Sequence, residues 1–447
     1  MLETLLVANR GEIARRVIRT AQRMGIKAVA VYSAADAAAL HVREADEAIL
    51  IGPPAPAESY LDAARVLEAA RASGAQAVHP GYGFLAESAA FAARVIDAGL
   101  VWVGPSPEAI TAMGDKVAAR NLMAAAGVPV APGTTEPVTE AGAALEAARS
   151  LGYPLMVKAS AGGGGIGMGV ARDDAELSAA FETARSRAER FFGSPSILLE
   201  RYVEGARHVE VQVLGLADGR VVTLGERDCS VQRRHQKVAE ETPSPGVGAP
   251  LREKMLALAA TAGRAVGYRN AGTIECLVDP VAQEFFFLEM NTRLQVEHPV
   301  TEMVTGVDLV EQQLLIAAGE DPSYDVDAAA AVGHAIELRV YAEDPKRFLP
   351  SPGTITRWTE PTGSGVRVDA GYGEGDAVTP FYDPLLAKLC VWGSDRADAI
   401  ERARVAVDGF VVDGPKTNLP VFTQLLADPA YLAGDYDTGI VDRMRRA

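Results

Sequence analysis

The chain has 447 residues, too many for one ordinary hydrophobic core, so roughly two to four domains are expected. Its formal net charge of −16 argues against nucleic acid or anionic lipid as a partner, and any anionic ligand must be drawn in by a local positive site. Three widely spaced cysteines, Cys229, Cys276 and Cys390, exclude a disulfide framework and a thiolate metal cluster and point to a reducing cytoplasm.

The N-terminus runs directly into a strand-like Thr4-Leu-Leu-Val-Ala8 without the features of a secretory signal, and no stretch approaches the roughly 20 apolar residues of a membrane helix. Alternation then predicts strands at Leu5–Ala8, Ala28–Tyr32, Ala77–His79 and Val101–Val103. Helices are predicted at Gly11–Met24, Tyr60–Ser73 and Ser88–Ala98. This pattern implies a parallel, doubly wound sheet, a Rossmann-like unit over 1–113. Ala8-Asn-Arg-Gly-Glu-Ile13 replaces the glycine fingerprint of dinucleotide-binding enzymes, which removes most support for a dehydrogenase. A second region, 114–332, holds most of the unusual chemistry, and a third, 333–447, opens on a strand over His334–Val340.

Only 8 of the 43 basic residues are lysines, so each lysine merits a reason. Lys116 follows Met113-Gly-Asp at a helix start, where amides and dipole favour an anion. Pro154-Leu-Met-Val-Lys158 runs into the glycine-rich Gly162–Gly165, a strand, point charge and amide cradle suited to phosphate although not a Walker loop. Glycine hinges there suit a lid over a nucleotide, although such loops are often plain linkers. In Leu198-Leu-Glu200-Arg-Tyr-Val203, Glu200 could accept from an adenine amino group while Val203 packs on the ring; a surface acid is the plainer reading. The basic run Gln232-Arg-Arg-His235-Gln-Lys237 is closed by two acids and lacks interleaved aromatics, so a small anion suits it better than nucleic acid.

The strongest signal is the pair of runs Ala271–Asp279 and Glu284–Glu297 around a short polar turn, a hairpin. Centred on Ala282, it sets Glu275 opposite Glu289, and opposed carboxylates repel unless a cation lies between them. Strand parity gives Glu289, Asn291, Arg293, Gln295 and Glu297 one face, with Met290, Leu294 and Val296 towards the core. All-oxygen ligands of this kind suit Mg²⁺. The bland alternative is an amphipathic edge strand with a solvated polar face.

Together with His79–Glu87, Met113–Lys116, Arg227–Lys237, Glu289–Glu302 and Phe348–Gly353, these segments resemble the ATP-grasp superfamily and, within it, the biotin carboxylases, over essentially the whole chain. The resemblance implies an α/β protein with a Rossmann-like N-terminal domain, an ATP-grasp central domain whose mobile lid covers about 131–203, and a C-terminal α+β domain. It implies a ligase in which ATP phosphorylates bicarbonate to carboxyphosphate, which then carboxylates the ureido nitrogen of biotin.

By the same resemblance ATP would meet Lys116, Lys158, Gly163, Gly164, Gly165, Met168, Glu200, Arg201, Tyr202, Val203, His208, Gln232, His235, Glu275, Leu277, Glu289 and Ile440. Glu275, Glu289 and Asn291 would hold two Mg²⁺, with Mn²⁺ as an alternative. Bicarbonate would lie against Lys237, Arg293, Gln295, Val296 and Glu297, with Glu297 as base. Arg339 would stabilise the biotin enolate near Tyr82. The catalytic set is thus Arg293, Glu297, Lys237 and Arg339. Ala161 and Ile166 depart from the family pattern in the glycine loop, which puts one lid contact in doubt.

No Ala-Met-Lys-Met motif occurs in the chain, so biotin is expected on another polypeptide, a biotin carboxyl carrier protein, with carboxyltransferase subunits completing an acyl-CoA (acetyl-CoA) carboxylase. The chain is then either a separate component or the first part of a longer enzyme. Family members commonly dimerise, and a homodimer is expected, but Arg19 and Arg23 stand four apart on the first helix as like charges needing partners elsewhere. Two competing readings are an ATP-grasp ligase joining a different carboxylate to an amine or thiol, and a non-catalytic nucleotide-sensing subunit.

Overall fold

The computed structural model describes residues 2–160, 168–326 and 330–446, the side chains of Phe191 and Phe192 apart. Its N-terminal sheet is built from β1 (Thr4–Val7), β2 (Lys27–Ser33), β3 (Glu47–Gly52), β4 (Ala77–His79) and β5 (Val101–Trp102), all parallel, in the order β3-β2-β1-β4-β5. The central strands read as almost continuous Val, Leu and Ala because helices cover both faces. Those helices are α1 (Gly11–Arg23), α2 (Leu40–Glu44), α3 (Ala63–Ala72) and α4 (Ala89–Asp97). α3 starts three residues later than expected because the Asp62 carboxylate accepts from the Ala64 and Arg65 amides and caps it there. The edge strand β3 carries an exposed Leu50 and half-buried neighbours, and this one-sided burial kept it out of the sequence pattern. Arg19 and Arg23 find their acids within the chain: Arg19 pairs with Glu44, and Arg23 with Asp308 and Glu311.

α5 (Pro107–Gly114) and α6 (Lys116–Ala125) follow, and Asp115 caps α6 by accepting from the Ala118 amide at 2.8 Å. Next comes a subdomain with its own core. α7 (Ala141–Leu151) and α8 (Asp174–Phe192) pack on β6 (Leu155–Ala159), β7 (Gly169–Ala171) and β8 (Ile197–Arg201), a sheet of order β7-β6-β8. Leu155, Val157, Leu177, Phe181, Ile197 and Leu199 fill the space between.

The rest is organised by one eight-stranded sheet. It contains β9 (Arg207–Gly215), β10 (Val221–Arg233), β11 (Gln236–Thr242), β12 (Asn270–Asp279), β13 (Glu284–Asn291) and β14 (His334–Tyr341), with two later strands, Val366–Ala370 and Leu385–Gly393. The order is β13-β12-β9-β10-β11-β14, then Leu385–Gly393, then Val366–Ala370. One hydrogen-bonded sheet therefore runs across residue 333, with Glu240 on β11 opposite Glu337 on β14. α9 (Ala249–Ala265), α10 (His298–Thr305) and α11 (Leu309–Ala318) pack against it. Among the described residues no helix is long and apolar enough to cross a membrane.

Candidate active site

β9 alternates strictly: Val209, Val211 and Val213 are in the core, while His208, Glu210 and Gln212 share the other face. β12 pairs with β9 so that Glu275 lies opposite Glu210, and β13 pairs with β12 so that Glu289 lies opposite Glu275. The opposition predicted from the hairpin is therefore present, with one refinement. A bulge between Glu275 and Cys276 shifts the register by one, so the half of the hairpin nearest the turn is offset from a centre at Ala282. β10 and β11 are joined by Arg234 and His235, both at positive φ, a tight hairpin turn that sets Lys237 opposite Gln232.

Lys237 is the hub of the site. Its ammonium donates to Glu210 Oε2 at 2.6 Å, Glu275 Oε1 at 2.7 Å and Glu297 Oε1 at 2.7 Å. Burial opposes its charge, but the three carboxylates outweigh it and hold Lys237 well above the usual range. Each acid has a second partner: Arg227 donates to Glu210 at 2.6 Å, Arg339 donates to Glu297 at 2.9 Å, and the His208 ring nitrogen Nε2 lies 3.1 Å from Glu275. Burial would raise the Glu297 carboxyl, yet Lys237 and Arg339 hold it well below the usual range, so it is ionised. Glu275 is lowered by Lys237 and His208 against the same opposing burial.

β13 ends at Asn291. Strand parity therefore stops there: residues 292–297 turn, and Glu297 stands at the N-terminus of α10. The expected face nonetheless survives through side-chain contacts. Arg293 donates to Asn291 Oδ1 at 3.0 Å, Gln295 Oε1 at 3.2 Å and Glu87 Oε2 at 2.9 Å, and Gln295 donates to Glu275 at 3.5 Å. Leu294 is in the core as predicted. Arg339 does not pair with Glu337, its neighbour on the strand face; it lies between Glu297 and Glu240, with Glu240 Oε1 at 2.5 Å. Glu240 is pushed up to about 7, first by burial and then by the charge on Glu297, with Arg339 working the other way.

At the far end of the sheet Lys116 opens α6 and lies 3.7 Å from Glu289, while Lys158 on β6 lies 2.5 Å from Glu200. The Glu200 carboxylate is thus engaged by Lys158 and by Arg120 at 3.6 Å. Tyr202 and Val203 are half-buried and Arg201 is exposed. Gln232 donates to His208 Nδ1 at 3.0 Å, and Leu277 sits opposite His208 on the neighbouring strand. His235 is exposed at its turn, and Ile440 is buried in a core that includes Val231 of β10. Gly163, Gly164, Gly165, Ala161 and Ile166 lie outside the described residues; Met168 leads into β7.

Glu275, Glu289 and Asn291 present oxygen donors from adjoining strands. Burial first, and then the charge on Glu275, raises the Glu289 carboxyl. A divalent cation would relieve that repulsion, and the two carboxylates with the Asn291 amide oxygen are the hard oxygen donors that fit Mg²⁺. Sequence reasoning missed Glu210, Glu240, Glu87 and Arg227. The alternation His208, Glu210, Gln212 was the available signal for the first.

The three-stranded subdomain, the opposed acids Glu275 and Glu289 and the lysines Lys116 and Lys158 near them are the frame of an ATP-grasp ligase. Three family profiles match the chain: the biotin carboxylase N-terminal domain over residues 1–110, the carbamoyl-phosphate synthase L chain ATP-binding domain over 115–323 and the biotin carboxylase C-terminal domain over 337–443. The biotin carboxylase of Halalkalibacterium halodurans is 53% identical over 441 residues, covering 99% of this chain and 97% of that one. A solved Campylobacter jejuni biotin carboxylase–ATP complex superposes with a TM-score of 0.97 at 42% identity, covering 99% of each chain. The biotin carboxylase domain dimer of Hydrogenobacter thermophilus 2-oxoglutarate carboxylase, with MgADP, ADP and bicarbonate, gives 0.95 at 43% identity, covering 99% of this chain and 98% of that one. The chain belongs to the biotin carboxylase family, ligases that carboxylate biotin at the expense of ATP.

Proposed function

We propose that this chain carries out the first half-reaction of a biotin-dependent carboxylase: ATP phosphorylates bicarbonate to carboxyphosphate, which then delivers its CO₂ to biotin held on a separate carrier protein. The observation that carries the reading is the Glu297 carboxylate, fully buried yet ionised between Lys237 and Arg339, beside the three-way donor fork of Arg293. A planar guanidinium matches a planar carbonate, and the neighbouring carboxylate is placed to take the proton of bicarbonate. Lys237, Arg293, Gln295 and Val296 would bind the anion. Arg339, once its hold on Glu297 is relaxed, would stabilise the biotin enolate beside Tyr82. Bicarbonate and MgADP in the Hydrogenobacter thermophilus domain support this pairing of ligands.

Lys116, Lys158, His208, His235, Gln232 and the loop at Gly163–Gly165 would face phosphate or ribose. Arg201, Tyr202, Val203, Leu277, Met168 and Ile440 would lie around the base, together with the backbone of Glu200. Glu275, Glu289 and Asn291 would hold Mg²⁺, which when bound supplies neutralisation of the transferring phosphoryl charge. The domains would be 1–113, 114–332 with a lid over about 131–203, and 333–447. A carboxyltransferase receives the carboxyl group; the Hydrogenobacter thermophilus domain dimer supports a homodimer, and a reducing cytoplasm accords with three free, buried cysteines. Acetyl-CoA is one acceptor, while the 2-oxoglutarate carboxylase relative shows that the family serves others.

The test is bicarbonate-dependent ADP release with and without free biotin. Stimulation by biotin and labelled bicarbonate appearing in carboxybiotin are expected. ADP release indifferent to biotin but raised by an amino acid would overturn the reading in favour of a different ATP-grasp ligase.

A further inference from the structure

With so few lysines in the chain, Lys388 stands out. It is the one fully buried lysine among the described residues, on the strand Leu385–Gly393, directly opposite Arg339. It is assigned to no substrate itself, yet its ammonium is closely engaged. Nζ lies 3.0 Å from Glu12 Oε2 and donates to the Val296 carbonyl at 2.9 Å. Glu12, in the first turn of α1, is itself 4% exposed and accepts from the Tyr82 hydroxyl through its other oxygen. The Tyr82 loop is held from behind by Asn9, which donates to the carbonyls of Pro80 and Tyr82 at 2.7 and 2.8 Å. Gly81 between them is at φ +62, where a side chain would strain the turn. One buried ammonium thus joins the first helix, the tyrosine loop and the peptide that enters Glu297.

We propose that Lys388 and Glu12 are positioning residues that fix the Tyr82 hydroxyl and the Val296–Glu297 peptide in one geometry, holding the biotin side and the bicarbonate side of the site at a set separation. The proposal rests on the assignment of Val296 and Glu297 to bicarbonate and of Tyr82 to biotin. A buried pair kept only for stability can be exchanged for an apolar or neutral pair without loss. Here such an exchange also deletes the donor to Val296, and small displacements of a reacting group cost rate steeply. Glu337 and Asp369 face the same ammonium from the neighbouring strands, and Arg367 and Arg339 balance them, so the pair sits in a charged layer beneath α10 and not in an apolar core.

The experiment compares Lys388→Met, Glu12→Gln and the double variant in the full chain. Lys388→Met strands the Glu12 charge and lowers the thermal midpoint; the double variant recovers that midpoint. Biotin-stimulated turnover in the double variant is expected to stay about 10²-fold down, with KM for ATP within about twofold of the parent. Turnover that returns together with the midpoint makes the pair purely structural and overturns the proposal. Glu12→Gln alone provides a second reading should the others fold poorly. Its amide oxygen turns to Lys388 and its nitrogen to Tyr82, so the tyrosine must accept where it now donates. About a tenfold loss confined to biotin stimulation is expected, with KM for bicarbonate within about twofold. Unchanged biotin stimulation in that variant overturns the proposal. Glu297→Gln run alongside separates the two levels: if it leaves turnover intact, the assignment of the site has failed and not the positioning pair.

Discussion

Replacing Glu297 by glutamine separates chemistry from stability, because shape is kept and only the charge and one acceptor are lost. Glu297 Oε1 accepts from Lys237 at 2.7 Å and Oε2 from Arg339 at 2.9 Å. A glutamine can serve one of these cations with its oxygen, and its amide nitrogen then faces the other. The structural loss is one charge-assisted hydrogen bond, about 1–3 kcal/mol, and it is limited because both cations keep other acids. Lys237 retains Glu210 and Glu275, and Arg339 retains Glu240. Loss of a general base costs roughly 10²- to 10⁴-fold in rate, about 2.7 to 5.5 kcal/mol of barrier. Expected, then, is a folded enzyme with near-parental ATP affinity whose bicarbonate-dependent ADP release and biotin carboxylation both fall by at least about 10²-fold. The assays are steady-state ADP release, label transfer to biotin and nucleotide titration. Turnover within about threefold of the parent would sink the role of Glu297 as base.

Arg293→Lys keeps the charge but removes the fork that reaches Glu87, Asn291 and Gln295 together. KM for bicarbonate is expected to rise about 10- to 10²-fold while ATP affinity holds, as read from bicarbonate titrations of ADP release. Glu289→Gln removes one of two opposed carboxylates, so the Mg²⁺ concentration for half-maximal turnover is expected to rise at least about tenfold; chelation should abolish turnover in the parent. Glu241 tests stability against pH. Burial works to raise it, but His334 and Arg396 outweigh burial and hold it at about 2, below its ordinary 4.5. Its contribution is therefore complete above about pH 4.5 and is lost as pH falls towards 2, and the gap corresponds to about 3 kcal/mol. Acid unfolding followed by circular dichroism should show a flatter dependence over that window in Glu241→Gln.

The alternating N-terminal region and the Glu275–Glu289 opposition were legible because both follow from short-range periodicity. The edge strand Glu47–Gly52 was not, since a strand buried on one side carries little of the apolar run that marks its neighbours. Strand parity beyond Asn291 was unsound for a different reason. Pro299 just after Glu297 starts a helix, so the chain must turn before it, and Arg293, Gln295 and Glu297 reach the site by their length instead of by alternation. Glu210 lay in plain alternation on β9 but gained meaning only when β12 came to lie beside it. Glu240 and Lys388 are invisible to local pattern, because their significance depends on pairings of β11 with β14 and of β14 with a strand some 50 residues later. The ion pairs of Glu200 were not legible either, since nothing local indicates that Lys158 and Arg120 both reach it.

The charge pattern of the site also bears on how it takes an anion in a chain of net charge −16. Its cations are not free. Lys237 is shared by three carboxylates, Lys158 lies on Glu200, Lys116 is nearest Glu289, and Arg293 is held by Glu87. A phosphate chain entering alone would have to draw these cations away from acids already close to them, leaving buried carboxylates uncompensated, which is costly. On the proposed assignment, a nucleotide accompanied by a divalent ion would set positive charge beside Glu275 and Glu289 while Lys116 and Lys158 served its phosphates, so the exchange would conserve local charge. Arg339 stands in the same position towards biotin. On the proposed roles it would be freer to turn to an enolate oxygen once Glu297 had taken the proton of bicarbonate, with Glu240 still beside it. With every cation paired to an acid, each anion would enter more readily when compensating charge came with it, which on this reading couples ATP use to bicarbonate and lets biotin stimulate it.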